Sequence, residues 1–289
     1  MFAPVVRSYK EQGAKRKTQS VATALGYSRQ YYYKHVKEKA EREKADQQIV
    51  SAVKEKRKLL PRLGTRKLHY MLGPLFASSG LKCGRDKLFR LLGDAGILIT
   101  PKKRYVQTTD SKHWMRKYPN IAKDEVAIMP EQLWVSDITY IKTHQGNCYL
   151  NLVTDAYSRK IVGYSIKDNM ETESMIGAYQ TALATKKCKD IATIHHSDRG
   201  LQYCSREYVQ LSIDNGCRIS MTENGDPYEN ALAERMNRTL KDEFGLGEIL
   251  KTKEIAYRLV EEAVYLYNNV RPHCSLNYQT PEQVHKKNP

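Results

Sequence analysis

Asp137, Asp198 and Glu234 are the residues whose surroundings ask most of a carboxylate. Asp137 lies inside the β-rich run Leu133–Ile141, with Trp134, Ile138 and Tyr140 around it. A carboxylate in a buried strand costs several kcal/mol unless a cation or hydrogen bonds compensate it. Asp198 ends the apolar run Ile191–Ser197 and is followed by the sharp exit Arg199-Gly200. Glu234 follows Asp226-Pro227-Tyr228-Glu229, which reads as a helix start with a cap residue, Pro at the first position and Glu three residues after the cap. At about 100° per residue, Glu234, Asn237, Arg238 and Lys241 share one helix face, and Leu232, Met236 and Leu240 form a stripe roughly opposite. The polar face can point into a site while the apolar one packs. Each acid alone also has an ordinary reading, such as a solvated helix side with a Glu234 to Arg238 pair.

The elements that must position these acids are legible from periodicity. Leu133–Ile141, Tyr149–Thr154 and Lys160–Ile166 read as an antiparallel meander. A helix over Thr172–Thr185 follows, then the strand Ile191–Ser197, a helix over Ser205–Asn215, a short strand Arg218–Met221 and a final helical run. Such a series is an α/β layered fold with one mixed sheet.

The first part of the chain has a different character. Residues 1–120 hold 28 Lys/Arg and 9 Asp/Glu, net +19, against 20 and 23 in residues 121–289, net −3; together they make the +16 of the whole chain. Charge concentrated in this way marks a polyanion partner, because each neutralised phosphate releases condensed counterions. Residues 1–40 read as a first helix-turn-helix: an apolar helix stops at Gly26, and Ser28 can cap a second helix presenting Arg29, Gln30 and Lys34 beside three tyrosines. Residues 41–61 read as a charged helical connector whose apolar handle is Ile49, Val50 and Val53. Residues 62–99 read as a second such module and 100–125 as a basic linker. The α/β part with the three acids is placed at 126–250, and a C-terminal helix and tail at 251–289.

Composition excludes other classes. No apolar run approaches the roughly 20 residues of a membrane span, and no signal-peptide core is seen near the start, so a cytoplasmic protein without a membrane partner is expected. Among the 6 Cys and 8 His there is no C-x-x-C pair and no His spacing of a common zinc site, which argues against a disulfide framework and structural zinc.

Three motifs carry a resemblance: LWVSDITY, HHSDRGLQYCS and ENALAERMNRTLKDE, with 35 residues between Asp198 and Glu234. They resemble the acidic motifs of DDE transposases of the retroviral-integrase type, most closely the OrfB proteins of bacterial insertion sequences. YNNVRPHCSLNYQTPEQV at 267–284 resembles that family's C-terminal signature, and LPRLGTRKLHYML and LFRLLGDAGI its second helix-turn-helix. The similarity runs from about residue 15, and the first 14 residues match nothing. It implies a ribonuclease-H-like core, a mixed five-stranded sheet with flanking helices, preceded by all-α helix-turn-helix modules.

The resemblance also implies that Asp137, Asp198 and Glu234 bind two Mg2+ or Mn2+ ions. In-line displacement at a phosphodiester needs hard cations about 3.5 to 4 Å apart, which suits three carboxylates without a protein nucleophile. By the same match Lys241 would contact DNA phosphate, with Asn237, Arg238 and Arg199 as further DNA contacts. His196 fits either a supporting role or plain packing. Asp155, Glu223, Asp226 and Glu243 are rival acids outside the motif positions, Asp155 being the best substitute.

The function expected is metal-dependent DNA cleavage and strand transfer at the terminal inverted repeats of the protein's own element and at target DNA. The implied protein is a bacterial, nucleoid-associated homo-multimer on DNA, with an upstream-frame protein as a further partner. The alternatives are a catalytically inactive DNA-binding repressor of the element and a nuclease for RNA-DNA hybrids.

Overall fold

The computed structural model describes residues 23–24, 26–100, 115–123, 125–169, 172–188, 190–223 and 227–287. The chain divides into two compact units, one comprising residues up to Lys56 together with Met71–Leu98, the other Arg57–Tyr70 together with Ile99 onward.

The first unit is helical. Gly26 adopts φ +78, the left-handed turn that an L side chain resists. The hydroxyl of Ser28 then accepts from Tyr31 N–H at 3.1 Å, satisfying an otherwise orphaned donor of the first turn of α1, Arg29–Leu59. This helix runs unbroken for 31 residues. Residues 29–40 and the connector expected at 41–61 therefore form one helix, because no Gly or Pro interrupts them. The exposed pairs Lys37–Glu41, Lys39–Glu43 and Arg42–Glu38 keep its surface solvated and add little stability. Ile49 and Val53 are fully buried. Helix α2, Thr65–Ser78, begins in the other unit and continues into this one, so the module expected at 62–99 is shared between the two. Helix α3, Arg85–Asp94, buries Leu88, Leu91 and Leu92.

The second unit is built on a five-stranded sheet of β1 (Leu133–Thr143), β2 (Gly146–Asp155), β3 (Ile161–Lys167), β4 (Ile194–Ser197) and β5 (Arg218–Met221). Its order is β3-β2-β1-β4-β5. The first three strands form an antiparallel meander, while β4 and β5 add in parallel beside β1. This is the ribonuclease-H-like arrangement. Strand β4 is shorter than the apolar run suggests, because Ile191 instead closes a turn onto Cys188 and its carbonyl accepts from Lys186.

The connecting helices cover both faces. Helices α4 (Thr172–Thr185) and α5 (Arg206–Asp214) enclose a core of Trp134, Val153, Met175, Tyr179 and Tyr208. On the opposite face Leu133, Val135 and Ile194 pack against Ala233 of α6, Ala231–Glu243. Helix α7, Lys253–Asn269, and helix α8, Pro281–Lys287, complete the unit. The part of the basic stretch that is described is no free linker. Met115, Tyr118 and Ile121 pack against the core, and Pro119 accepts from Met221 N–H. All six cysteines are free, and no helix among the described residues is long and apolar enough to cross a membrane.

A buried ion cluster ties α6 to the C-terminal signature. Glu243 accepts two bonds from Arg271, at 2.8 and 2.7 Å, and one from Lys67 at 2.9 Å. Burial pushes the Glu243 carboxyl up, but Arg271 and Lys67 outweigh it and hold the group below its ordinary value. A depressed acid stabilises the fold above its unfolded pKa and loses that contribution as pH falls through the folded one. The unfolding free energy of Glu243→Gln from urea titration is therefore expected to be lower than the parent's at pH 7, by roughly 2 kcal/mol, with the gap closing as the pH is taken below 4.5. A gap that stays constant with pH would remove the ion cluster from this account.

Candidate active site

Strands β1 and β4 are hydrogen-bonded in parallel from Leu133↔Ile194 to Val135↔His196. Asp137 and Asp198 each stand two residues beyond the last of these pairs, so matched register carries them side by side where the strands part. Side chains alternate across a strand, which puts Asp137 on the face of Leu133 and Val135, the one α6 covers. Glu234 sits in the first turn of α6, next to the buried Ala233. Helix α6 starts at Ala231, after a 3-10 turn over Pro227–Asn230, later than the capping pattern suggests; Asp226 lies outside the described residues.

The three acids feel one another. Burial first, then the charge of Asp198, and more weakly that of Glu234, push the Asp137 carboxyl up to about 7, although hydrogen bonds from Asn237 and the Ile138 N–H pull it down. Those bonds measure 2.8 Å to Oδ2 and 2.9 Å to Oδ1. Glu234 is raised as well, by desolvation and by Asp198, while remaining on the exposed side of α6. Asp198 Oδ1 accepts from Gly200 N–H at 3.0 Å. The approach is close: a Cβ at Gly200 would stand 3.1 Å from that same oxygen and press on the carboxylate.

Mutually repelling carboxylates of this kind suit a hard, oxygen-preferring cation in donor type and in charge. Their side chains are not drawn together as ligands: among the described residues no group of three or more His, Cys, Asp or Glu is close enough to hold a metal ion.

The other expected residues have diverse placements. Lys241 Nζ donates to Thr139 Oγ1 at 2.5 Å and lies 4.6 Å from the centre of the Tyr140 ring, so it is braced against β1 two positions along from Asp137. Asn237 is 6% exposed and spends its amide on Asp137. Its place on the inward stripe with Ala233, Met236 and Leu240 was the signal for that contact. Arg238 is exposed and pairs with Asp242 at 3.7 Å rather than with Glu234. Arg199 is half-buried beside Asp198.

His196 is a packed histidine. Burial lowers its pKa, and the neutral ring donates Nε2–H to the Glu229 carbonyl at 3.0 Å while Nδ1 accepts from Ser220 at 2.9 Å. In the helical unit Gln30 and Lys34 are exposed, Tyr27 stacks on Tyr31 at 4.9 Å, and the Arg29 side chain lies outside what is described.

Of the rival acids, Asp155 is fully buried and accepts from Glu131 N–H, Ser158 N–H and the Ser158 hydroxyl, which ties both its oxygens to neighbouring donors. Glu243 is committed to its ion cluster. Sequence reasoning missed Ser136, His195 and Asn230, polar residues in or beside apolar runs that look like packing alone.

Family models for the Integrase core domain match residues 128–227 and 215–281. The chain is 32% identical to the Insertion element IS600 uncharacterized 31 kDa protein of Shigella sonnei over 91% of this chain and 96% of that protein. It is 32% identical to the transposase for insertion sequence element IS629 of Shigella sonnei, over 71% of this chain and 68% of that one. With transposase InsF for insertion sequence IS3A of Escherichia coli (strain K12) it shares 36% identity over 67% of each. With acids on two neighbouring strands and a helix, and likeness covering 96% of one such relative and 68% and 67% of the two transposases, the chain belongs to the bacterial insertion-sequence DDE transposases that carry the integrase core domain.

Proposed function

We propose that the protein binds the terminal inverted repeats of its own element and catalyses cleavage and strand transfer there, with Asp137, Asp198 and Glu234 as the catalytic, metal-binding acids. The observation that carries this reading is the β1/β4 register that sets Asp137 beside Asp198 on the face α6 covers, with Glu234 in the first turn of that helix. Two Mg2+ or Mn2+ ions, when bound, would supply the Lewis-acid charge that activates the attacking oxygen and steadies the leaving one. Asn237 and the Ile138 N–H aim the Asp137 carboxylate, and the Gly200 N–H aims that of Asp198. Lys241, braced by Thr139 and Tyr140, is a fixed cation for a phosphate beside them. Water is the first nucleophile and a freed DNA 3' hydroxyl the second, through one site.

The helical unit supplies end recognition: Gln30 and Lys34 are exposed on α1, with Arg29 one residue before Gln30. Arg199 and Arg238 serve as further phosphate contacts. The active form is a homo-multimer bridging two ends, with target DNA and an upstream-frame protein as partners, acting at the bacterial nucleoid; by family analogy its products include a joined-end circle.

Purified protein with end-sequence duplex and Mn2+ should nick one strand and join the freed end to a second duplex, with binding that weakens steeply as salt rises. Binding without metal-dependent cleavage would instead support the repressor reading.

A further inference from the structure

Ser136 precedes Asp137 on β1 and is 1% exposed. Its hydroxyl meets His195 Nε2 of β4 at 2.5 Å, and the other nitrogen of that ring meets the Tyr208 hydroxyl of α5 at 2.9 Å. His195 is buried, stacked on Tyr179 at 4.4 Å, and burial lowers its pKa to about 3. The neutral ring therefore donates to one of these hydroxyls and accepts from the other, which fixes its orientation. The Ser136 carbonyl accepts from the Asn230 side chain at 3.0 Å, one residue before α6 begins.

One buried residue thus touches all three acid-bearing elements. It does so where the β1/β4 ladder has just stopped, at Val135↔His196, so that no backbone pair between those strands holds the register beyond it. We propose that Ser136 is a positioning residue of the active site: its hydroxyl ties β1 to β4 and its carbonyl ties β1 to α6, setting the spacing of Asp137, Asp198 and Glu234. The inference rests on the reading of those acids as metal ligands. Groups that orient ligands without touching the metal are worth about 10- to 100-fold in metal affinity or activity.

The test is Mn2+ affinity of the full-length, DNA-free protein, measured by calorimetry well below the unfolding temperature, with near-UV circular dichroism as the check on folding. Ser136→Ala and Asn230→Ala should each weaken Mn2+ binding about tenfold, while Ser136→Thr, which keeps a hydroxyl, should restore it. End-DNA binding should match the parent in all three. Should Ser136→Ala be too unstable, Asn230→Ala alone decides, since it removes only the tie to α6. Folded variants that bind Mn2+ as the parent does would overturn the proposal. Failure of the parent to bind Mn2+, or parent-like binding by Asp198→Asn, would instead overturn the ligand assignment and this inference with it.

Discussion

Asp198→Asn is expected to lower cleavage and strand transfer by at least about a thousandfold and, in chelator, to make the protein more stable at pH 8. Both effects come from one charge. Asp198 is the strongest charge acting to raise Asp137 and Glu234, so its removal leaves those two easier to ionise and deprives the cations of a ligand. An acid whose folded pKa is raised stays protonated in the fold while the unfolded chain releases its proton. The metal-free parent therefore loses stability as pH climbs from the ordinary carboxylate range toward the value of about 7 for Asp137. Replacing the charged neighbour relieves part of this, on the order of 1 kcal/mol at pH 8, and nothing at pH 4. Burial, the larger cause, remains. Thermal melts at both pH values and a gel assay of strand transfer read the two effects. Undiminished strand transfer would refute the catalytic assignment, and a melting difference independent of pH would show that the acids are not coupled.

Gly163→Ala is expected to be the most damaging small substitution in the sheet-bearing unit. A Cβ at this position on β3 would stand 2.1 Å from the Ala178 carbonyl oxygen and 2.8 Å from the Ala182 nitrogen, both backbone atoms of α4 that cannot rotate away. The helix itself must lift. It carries Met175, Ala178, Tyr179 and Ala182, all buried in the core with Trp134. Overpacking of this severity costs about 3 kcal/mol or more, roughly 6 to 12 °C in melting temperature. Gly177→Ala on the same helix is the control. Its added Cβ meets only Ser165 Oγ, at 3.8 Å, so it should be neutral or slightly stabilising. Equal losses in both variants would show that close packing of α4 on β3 is not the cause.

Much of this molecule is written locally. The β-rich run 133–141, the Gly146 turn and the second and third apolar runs define the meander, because strand propensity and turn chemistry depend on near neighbours. Ser28 as a cap and Gly26 as a stop are equally local. Where local grammar is neutral it misleads. The lack of Gly or Pro permits α1 to continue past the expected module without requiring it, and nothing in the residue order says that residues 115–123 lie down on the core.

The acids themselves were chosen by type, spacing and likeness to known motifs, all properties of the chain read in order. What supports each acid was out of reach there. Asn237 looked like one more polar residue on an exposed face until α6 turned it inward onto Asp137, and Asp155 looked like a credible rival until its buried oxygens were seen to be held by three neighbouring donors. Ser136 touches His195 across 59 positions and Asn230 across 94. Periodicity reports which face a side chain takes within its own element, whereas the partner it finds depends on how separate elements stack. The choice of chemistry therefore belongs to the sequence, and the aim, spacing and ionisation of the groups that would perform it belong to the packed tertiary structure.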